Sequence, residues 1–209
     1  MRLLHAFLGD ERGASAAEFV LVLPILILFV FGVLDTGWYA WNLGLNQKAA
    51  QMGARIAVVT NPVASDLAQN MVGVTCGGVT LQQGQPIPAG CLPAKTCRFT
   101  SASACSCSGG AAPFAATSCS FADFDRFARV MESVNPAIQR SNITVTYNGS
   151  GLGYAGDPNS KGIEIAPHVT VTVAGMQYNP LMGILMTGIS MPSASSTLTM
   201  EDGDGVKSF

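Results

Sequence analysis

Between Phe19 and Leu34 this chain carries sixteen consecutive apolar, glycine or proline residues, with no charge or amide among them. No other feature limits the fold as much. If such a run enters a bilayer, every backbone N–H and C=O in it must be satisfied without water, and a helix does this within one segment. As a helix the run measures roughly 24 Å, somewhat short of a hydrocarbon core of about 30 Å. Ala14 to Ala17 lengthen it on one side, and Gly37-Trp38-Tyr39-Ala40-Trp41 lengthen it on the other. Aromatic rings with one wet edge suit a membrane–water boundary. The expectation is one transmembrane helix near the N-terminus.

Glu18 opens this run and needs a physical account. An ionised carboxylate at a bilayer centre costs roughly 2.5–3.5 kcal/mol on insertion scales. Near the edge of the span it reaches the interface cheaply, but packed among apolar helices it needs a cation. Cleavage after Gly13 would create one, because the new amine on Ala14 lies four residues away on the same helical face. Two blander readings compete. In an ordinary signal anchor Glu18 is a tolerated interfacial charge and Gly13 has no role. A secretory signal peptide fits less well, since its apolar core is about 7–15 residues long and ends in a small-residue cleavage site.

Gly13, the residues Ala14-Ser15-Ala16-Ala17, and then Glu18-Phe19 before an apolar helix resemble the processing motif of type IVb (Flp-type) prepilins. A wider set is more specific. Asp10-Glu11-Arg12-Gly13-Ala14, Ala17-Glu18-Phe19, Leu23-Pro24 and Ala50-Gln51-Met52-Gly53-Ala54-Arg55 resemble the TadE-like proteins of tight-adherence pilus systems, over about Gly9 to Val59. The resemblance implies a minor pilin or pseudopilin with one N-terminal membrane helix. It implies that Gly13 ends a leader, that a prepilin peptidase cuts before Ala14, and that Glu18 helps subunits enter or register in a fibre. Phe19 stands where the motif often has tyrosine. The partners implied are the peptidase, other pilins or pseudopilins, the Tad assembly platform and the membrane.

Lys and Arg before the span (Arg2, Arg12), against a first basic residue after it at Lys48, favour a cytoplasmic N-terminus by a small margin. All six cysteines, Cys76, Cys91, Cys97, Cys105, Cys107 and Cys119, follow the span. An even count in a Gly/Ser/Ala-rich stretch suggests disulfides and therefore an oxidising compartment. The expectation is an inner-membrane, single-pass protein with a periplasmic C-terminal domain, which the fibre reading would carry on into an extracellular pilus. Fifteen pairings of six cysteines are open. A zinc site is the alternative, but C-x2-C pairs are missing. With a net charge of −2 and 11% charged residues, the chain has no basic patch for nucleic acid.

Beyond the span, Leu45, Ala49, Met52, Ile56 and Val59 recur at helical spacing, and Ala49, Gly53 and Ala57 form a parallel row of small residues. One continuous helix is predicted from about Ala14 to Val59, with Pro24 inside it and Asn61-Pro62 at its end. The small or large stripe packs on the chain's own domain or on a neighbouring subunit. Residues 66 to 120 read as a cross-linked loop without a core of its own, its Cys-rich part spanning 76–119. Phe121 to Val134 reads as a second helix, capped by Ser120 and with Phe124, Phe127, Met131 and Val134 on one face. Alternation marks strands at Ile143 to Tyr147 and at His168 to Val173, and Ala194 to Met200 reads as a final strand. Pro180 to Ile189 reads as a short helix or a loop touching the membrane surface.

This order defines an α+β, pilin-like class: leader 1–13, membrane and long helix 14–60, and α+β domain 61–209. No catalytic constellation stands out. His168 lies on a strand without a nucleophile at testable spacing, and no phosphate loop is present. Asp202-Gly203-Asp204-Gly205 lacks most ligands of a calcium loop. Asn142-Ile143-Thr144 and Asn148-Gly149-Ser150 read as strand and turn chemistry. The expected role is structural, without enzymatic activity or cofactor. An uncleaved, membrane-anchored periplasmic binding module is the competing reading.

Overall fold

The computed structural model describes residues 11–158, 163–181 and 188–200. The acidic tail and most of the Pro180–Ile189 stretch lie outside the described residues. Helix α1 (Glu11–Ala57) runs unbroken for 47 residues with Pro24 inside it. It therefore starts slightly earlier and stops slightly sooner than predicted. Its last turn closes through Val58 N–H to Ala54 O and Thr60 N–H to Ile56 O, and the Thr60 hydroxyl donates to Ile56 O at 2.9 Å. Asn61-Pro62 follows, and a proline disfavours helical geometry in the residue before it.

The chain forms two compact units. The first holds α1 up to Asn42 together with Gln177–Ile189. Its helix is apolar enough to cross a membrane, and the most apolar 18-residue window, of mean hydropathy 2.8, is 0% buried. Large side chains are exposed all around it, among them Phe19, Leu21, Ile25, Phe29, Val33 and Trp38. A helix apolar on every side is suited to a membrane or to a bundle of other helices.

The second unit holds Leu43–Met176 and the chain from Ser190 on. Its centre is an antiparallel sheet in the order β4-β3-β5-β6-β9. These strands are β3 (Lys95–Ser101), β4 (Ala104–Gly109), β5 (Ile143–Asn148), β6 (His168–Val173) and β9 (Ala194–Thr199). The small pair β1 (Thr75–Cys76) and β2 (Val79–Thr80) precedes them. Between β6 and β9 come β7 (Gln177–Tyr178) and β8 (Ile189–Ser190), which pair with each other. Register explains the core: Ile143, Val145 and Tyr147 stand opposite Val173, Val171 and Val169, and all six are buried. The threonines face the other way, where Thr96–Thr146 and Thr170–Thr197 hydroxyls meet at 3.2 and 2.8 Å. Each fully buried Val or Ile contributes roughly 1.5–3 kcal/mol.

Helix α2 (Phe121–Val134) has the predicted bounds and buries Phe124, Phe127, Ala128 and Met131, with Val134 half-buried. Phe124 stacks on Phe99 of β3 with centroids 3.9 Å apart. Ser120 occupies the N-cap position but makes no side-chain bond to the backbone; its hydroxyl donates to the Asp123 carboxylate instead. The expected cap is thus replaced by a side-chain pair.

One further expectation is corrected. The stretch before α2 is not a coreless loop. It supplies β3 and β4 and buries Leu67, Met71, Leu81, Ile87, Leu92 and Phe114. Cysteine and threonine pack on a pleated surface as well as Val does, so their small size concealed two strands. On α1, the structure decides between the two stripes in favour of the small residues. Ala49, Ala50, Gly53, Ala54 and Ala57 are buried, whereas Met52 and Ile56 are half-buried and Val59 is exposed. A Cβ on Gly53 would lie 2.5 Å from Met131 Sδ and 3.2 Å from Val171 Cγ1. The backbone approaches α2 and β6 so closely that even an alanine Cβ would require the Met131 side chain to shift.

Candidate assembly and membrane site

Gly13 and Ala14 both fall inside α1, within a turn of its start. Glu18 is exposed and Phe19 is 61% exposed. No hydrogen bond or ion pair to Glu18 is found among the described residues. Four residues separate Ala14 from Glu18, one helical turn, so an amine created at Ala14 would project along the face that carries the carboxylate. The structure thus brings Gly13, Ala14, Glu18 and Phe19 together on one helix end. The cysteines lie in the other unit.

Those six cysteines are all bridged: Cys76–Cys91, Cys97–Cys107 and Cys105–Cys119. Each bridge closes a short loop, of sequence separation 15, 10 and 14. A loop of that size contributes roughly 3 kcal/mol in the chain-entropy account. Cys97–Cys107 joins directly opposed positions of β3 and β4. Cys105–Cys119 ties β4 to the segment that covers its outer edge, where Cys107 N–H donates to Thr117 O at 3.1 Å. The free edge of a sheet is a template for unwanted pairing, and here it is closed covalently. Among the described residues no group of three or more His, Cys, Asp or Glu side chains is arranged to hold a metal ion. His168 is exposed, its Nδ1 3.0 Å from the Thr199 hydroxyl.

Three polar features escaped sequence reasoning. Lys95 is fully buried on β3; its ammonium pairs with Asp66 and donates to Phe114 O at 2.9 Å and Ala116 O at 2.7 Å. A buried ammonium is tolerated when its donors are met this way. Tyr147 is buried, and its hydroxyl accepts from Val63 N–H at 2.9 Å. Burial holds that phenol well above its ordinary value near 10. Asp35, immediately after the apolar run, accepts from the Tyr178 hydroxyl at 3.0 Å and from Leu181 N–H at 2.7 Å. The sequence signal for Asp35 was available: a lone acid between a greasy run and an aromatic cluster.

The chain thus combines one helix long and apolar enough to cross a membrane with an α+β domain braced by three disulfides. Residues 13–55 match the family described as TadE-like protein, a family of Tad-pilus-associated proteins. That match covers the helix, 43 of the 209 residues. No match is found among curated proteins or among solved structures.

Proposed function

We propose that this chain is a minor pilin or pseudopilin taking part in assembly of a tight-adherence (Flp, type IVb) pilus. A prepilin peptidase processes it between Gly13 and Ala14. The observation that carries this reading is the TadE-like match over a helix whose apolar half is covered by nothing else in the described chain. The role is association, not catalysis: helices of neighbouring subunits and the Tad platform cover Phe19 to Leu34. The three bridges support a periplasmic location for the C-terminal domain, since disulfides persist where the surroundings are oxidising.

The scissile bond lies near a helix end, where ends fray. Gly13 weakens that turn by about 1 kcal/mol relative to alanine, so the peptidase can open it at small cost. Once cut, the Ala14 ammonium of one subunit faces the Glu18 carboxylate of the next. Losing one partner of such a pair away from water costs about 3–5 kcal/mol.

Glu18→Ala is expected to leave membrane insertion intact while sharply lowering piliation, scored by counting fibres and by membrane fractionation. Normal piliation in that strain would remove the pairing mechanism. N-terminal sequencing of the mature protein is expected to begin at Ala14. A chain that keeps Met1 to Gly13 in cells with working fibres would instead favour an uncleaved, membrane-anchored periplasmic binding module.

A further inference from the structure

The five-stranded sheet buries one face, and the strand register lays out the other. Across β4, β3, β5, β6 and β9 in turn, Ser106, Arg98, Thr144, Thr172 and Ser195 stand opposite one another in a single row. Each of them is exposed or half-buried. Neighbouring strands lie about 4.8 Å apart, so the row crosses the sheet over roughly 19 Å. The row two residues away on every strand is made of hydroxyl side chains throughout. There Thr96 pairs with Thr146 and Thr170 with Thr197. In the Arg98 row, by contrast, no side-chain hydrogen bond or ion pair forms among the described residues.

Threonine is favoured on strands, but a solvent face ordinarily mixes it with lysine and glutamate. The two rows hold neither, and no acid faces Arg98 from them. The charges of the domain gather instead on α2, at Asp123, Asp125, Arg126, Arg129 and Glu132. The rows also lack the aromatic or large aliphatic anchors that a protein partner would engage. A nucleic acid or polyphosphate needs several cations, and the rows supply one. What remains is a straight line of groups that both donate and accept hydrogen bonds, interrupted by one guanidinium fork shaped for a carboxylate.

We propose that the Ser106–Arg98–Thr144–Thr172–Ser195 row binds a linear polysaccharide with sparse carboxylates, a uronate-containing glycan laid across the five strands. Arg98 takes a sugar carboxylate through two parallel hydrogen bonds. The serine and threonine hydroxyls exchange hydrogen bonds with the sugar hydroxyls on either side. The neighbouring row, already paired within itself, keeps the floor of the site fixed. This surface belongs to the α+β domain and serves it equally on a fibre or on a membrane anchor, so its test is separate from that of the pilin reading.

The test uses the full chain in nanodiscs of zwitterionic lipid. The probe is immobilised gellan, a linear glycan with sparse glucuronate units, and biolayer interferometry is expected to show saturable binding. Arg98→Gln is expected to weaken that binding by about tenfold through loss of the charge-assisted fork. T144V/T172V keeps side-chain shape and strand propensity while removing two hydroxyls, and about fivefold weakening is expected with Tm unchanged. S106A/S195A, at the two edges of the sheet, gives a second reading should the threonine variant misfold. Gellan with its carboxyl groups reduced to alcohols is expected to bind the native chain as weakly as Arg98→Gln binds intact gellan. Absence of binding to intact gellan overturns the inference. Undiminished binding of reduced gellan, or of intact gellan to Arg98→Gln, overturns the carboxylate assignment. Binding that Arg98→Gln weakens but both hydroxyl variants leave unchanged also overturns the inference, since Arg98 would then be attracting negative charge without reading a sugar.

Discussion

The two halves of α1 follow opposite packing rules. From Phe19 to Trp41 the helix carries its largest apolar side chains, and they are exposed. From Asn46 to Val58 the inward face is built from alanine and glycine, and it is buried to near completion. Hydrophobic size therefore does not mark the face that the chain buries within itself. In the second half the binding surface is the helix backbone, brought against Met131 and Val171 by the missing side chain of Gly53. In the first half the burial has to come from lipid or from other helices. A polar clamp sits at the inner end of the buried half. Asn135 Nδ2 donates to Asn46 Oδ1 at 2.7 Å, and Asn46 Nδ2 lies 3.7 Å from Met191 Sδ.

The contrast can be broken from either side, and the membrane side should give the largest effect. Ile27→Arg places a charge at the middle of the apolar run. It is expected to cost about 2.5–3.5 kcal/mol of insertion, seen as protein lost from the membrane fraction, with the chains that fail to cross lacking the three disulfides. Gly53→Leu acts on the other half. Overpacking against Met131 and Val171 is expected to cost about 1–3 kcal/mol, read as a fall in the Tm of the α+β domain with insertion unaffected. A Gly53→Leu protein with unchanged Tm would mean that the backbone approach is looser than described.

Alkali should separate the halves more gently. The buried Tyr147 phenol is raised above its ordinary value near 10, so the neutral form belongs to the folded state. Its contribution is complete below about pH 10 and is lost as pH rises beyond it, by about 1.4 kcal/mol per unit. Denaturant unfolding of the α+β domain from pH 9 to 11 should show this slope, and Tyr147→Phe should flatten it. That variant should also lose about 0.5–1.5 kcal/mol at neutral pH, where Val63 N–H loses its acceptor. The smallest effect is expected from Phe29→Ala. The stability of the domain should change by less than about 0.5 kcal/mol, because Phe29 is 69% exposed, while fibre yield should fall.

Legibility followed the locality of the signal. α2 was readable to its ends because Ser120 and Asn135-Pro136 bracket a periodic run. β5 and β6 were readable because each alternates Val or Ile with Thr, whereas β9 is built from small and hydroxyl residues around Leu198. β3 and β4 were hidden because Lys-Thr-Cys-Arg-Phe and Ala-Cys-Ser-Cys-Ser have no alternation of large and polar residues. Their inward positions are filled by a lysine and cysteines, and those side chains become core members only through Asp66 and the bridges. Asp35 was passed over because its partners lie 143 and 146 residues away.

By itself, the sequence determined the long helix, its apolar half, the Gly13–Ala14–Glu18–Phe19 constellation and the strands with period two. These depend on neighbours within a few residues, and local chemistry sets them. The choice of the small-residue face of α1, one cysteine pairing out of fifteen, the buried Lys95–Asp66 pair and the Asp35 clamp were decided only by tertiary structure. Each joins groups distant along the chain, and their free energy exists only after the backbone has brought them within contact and away from water.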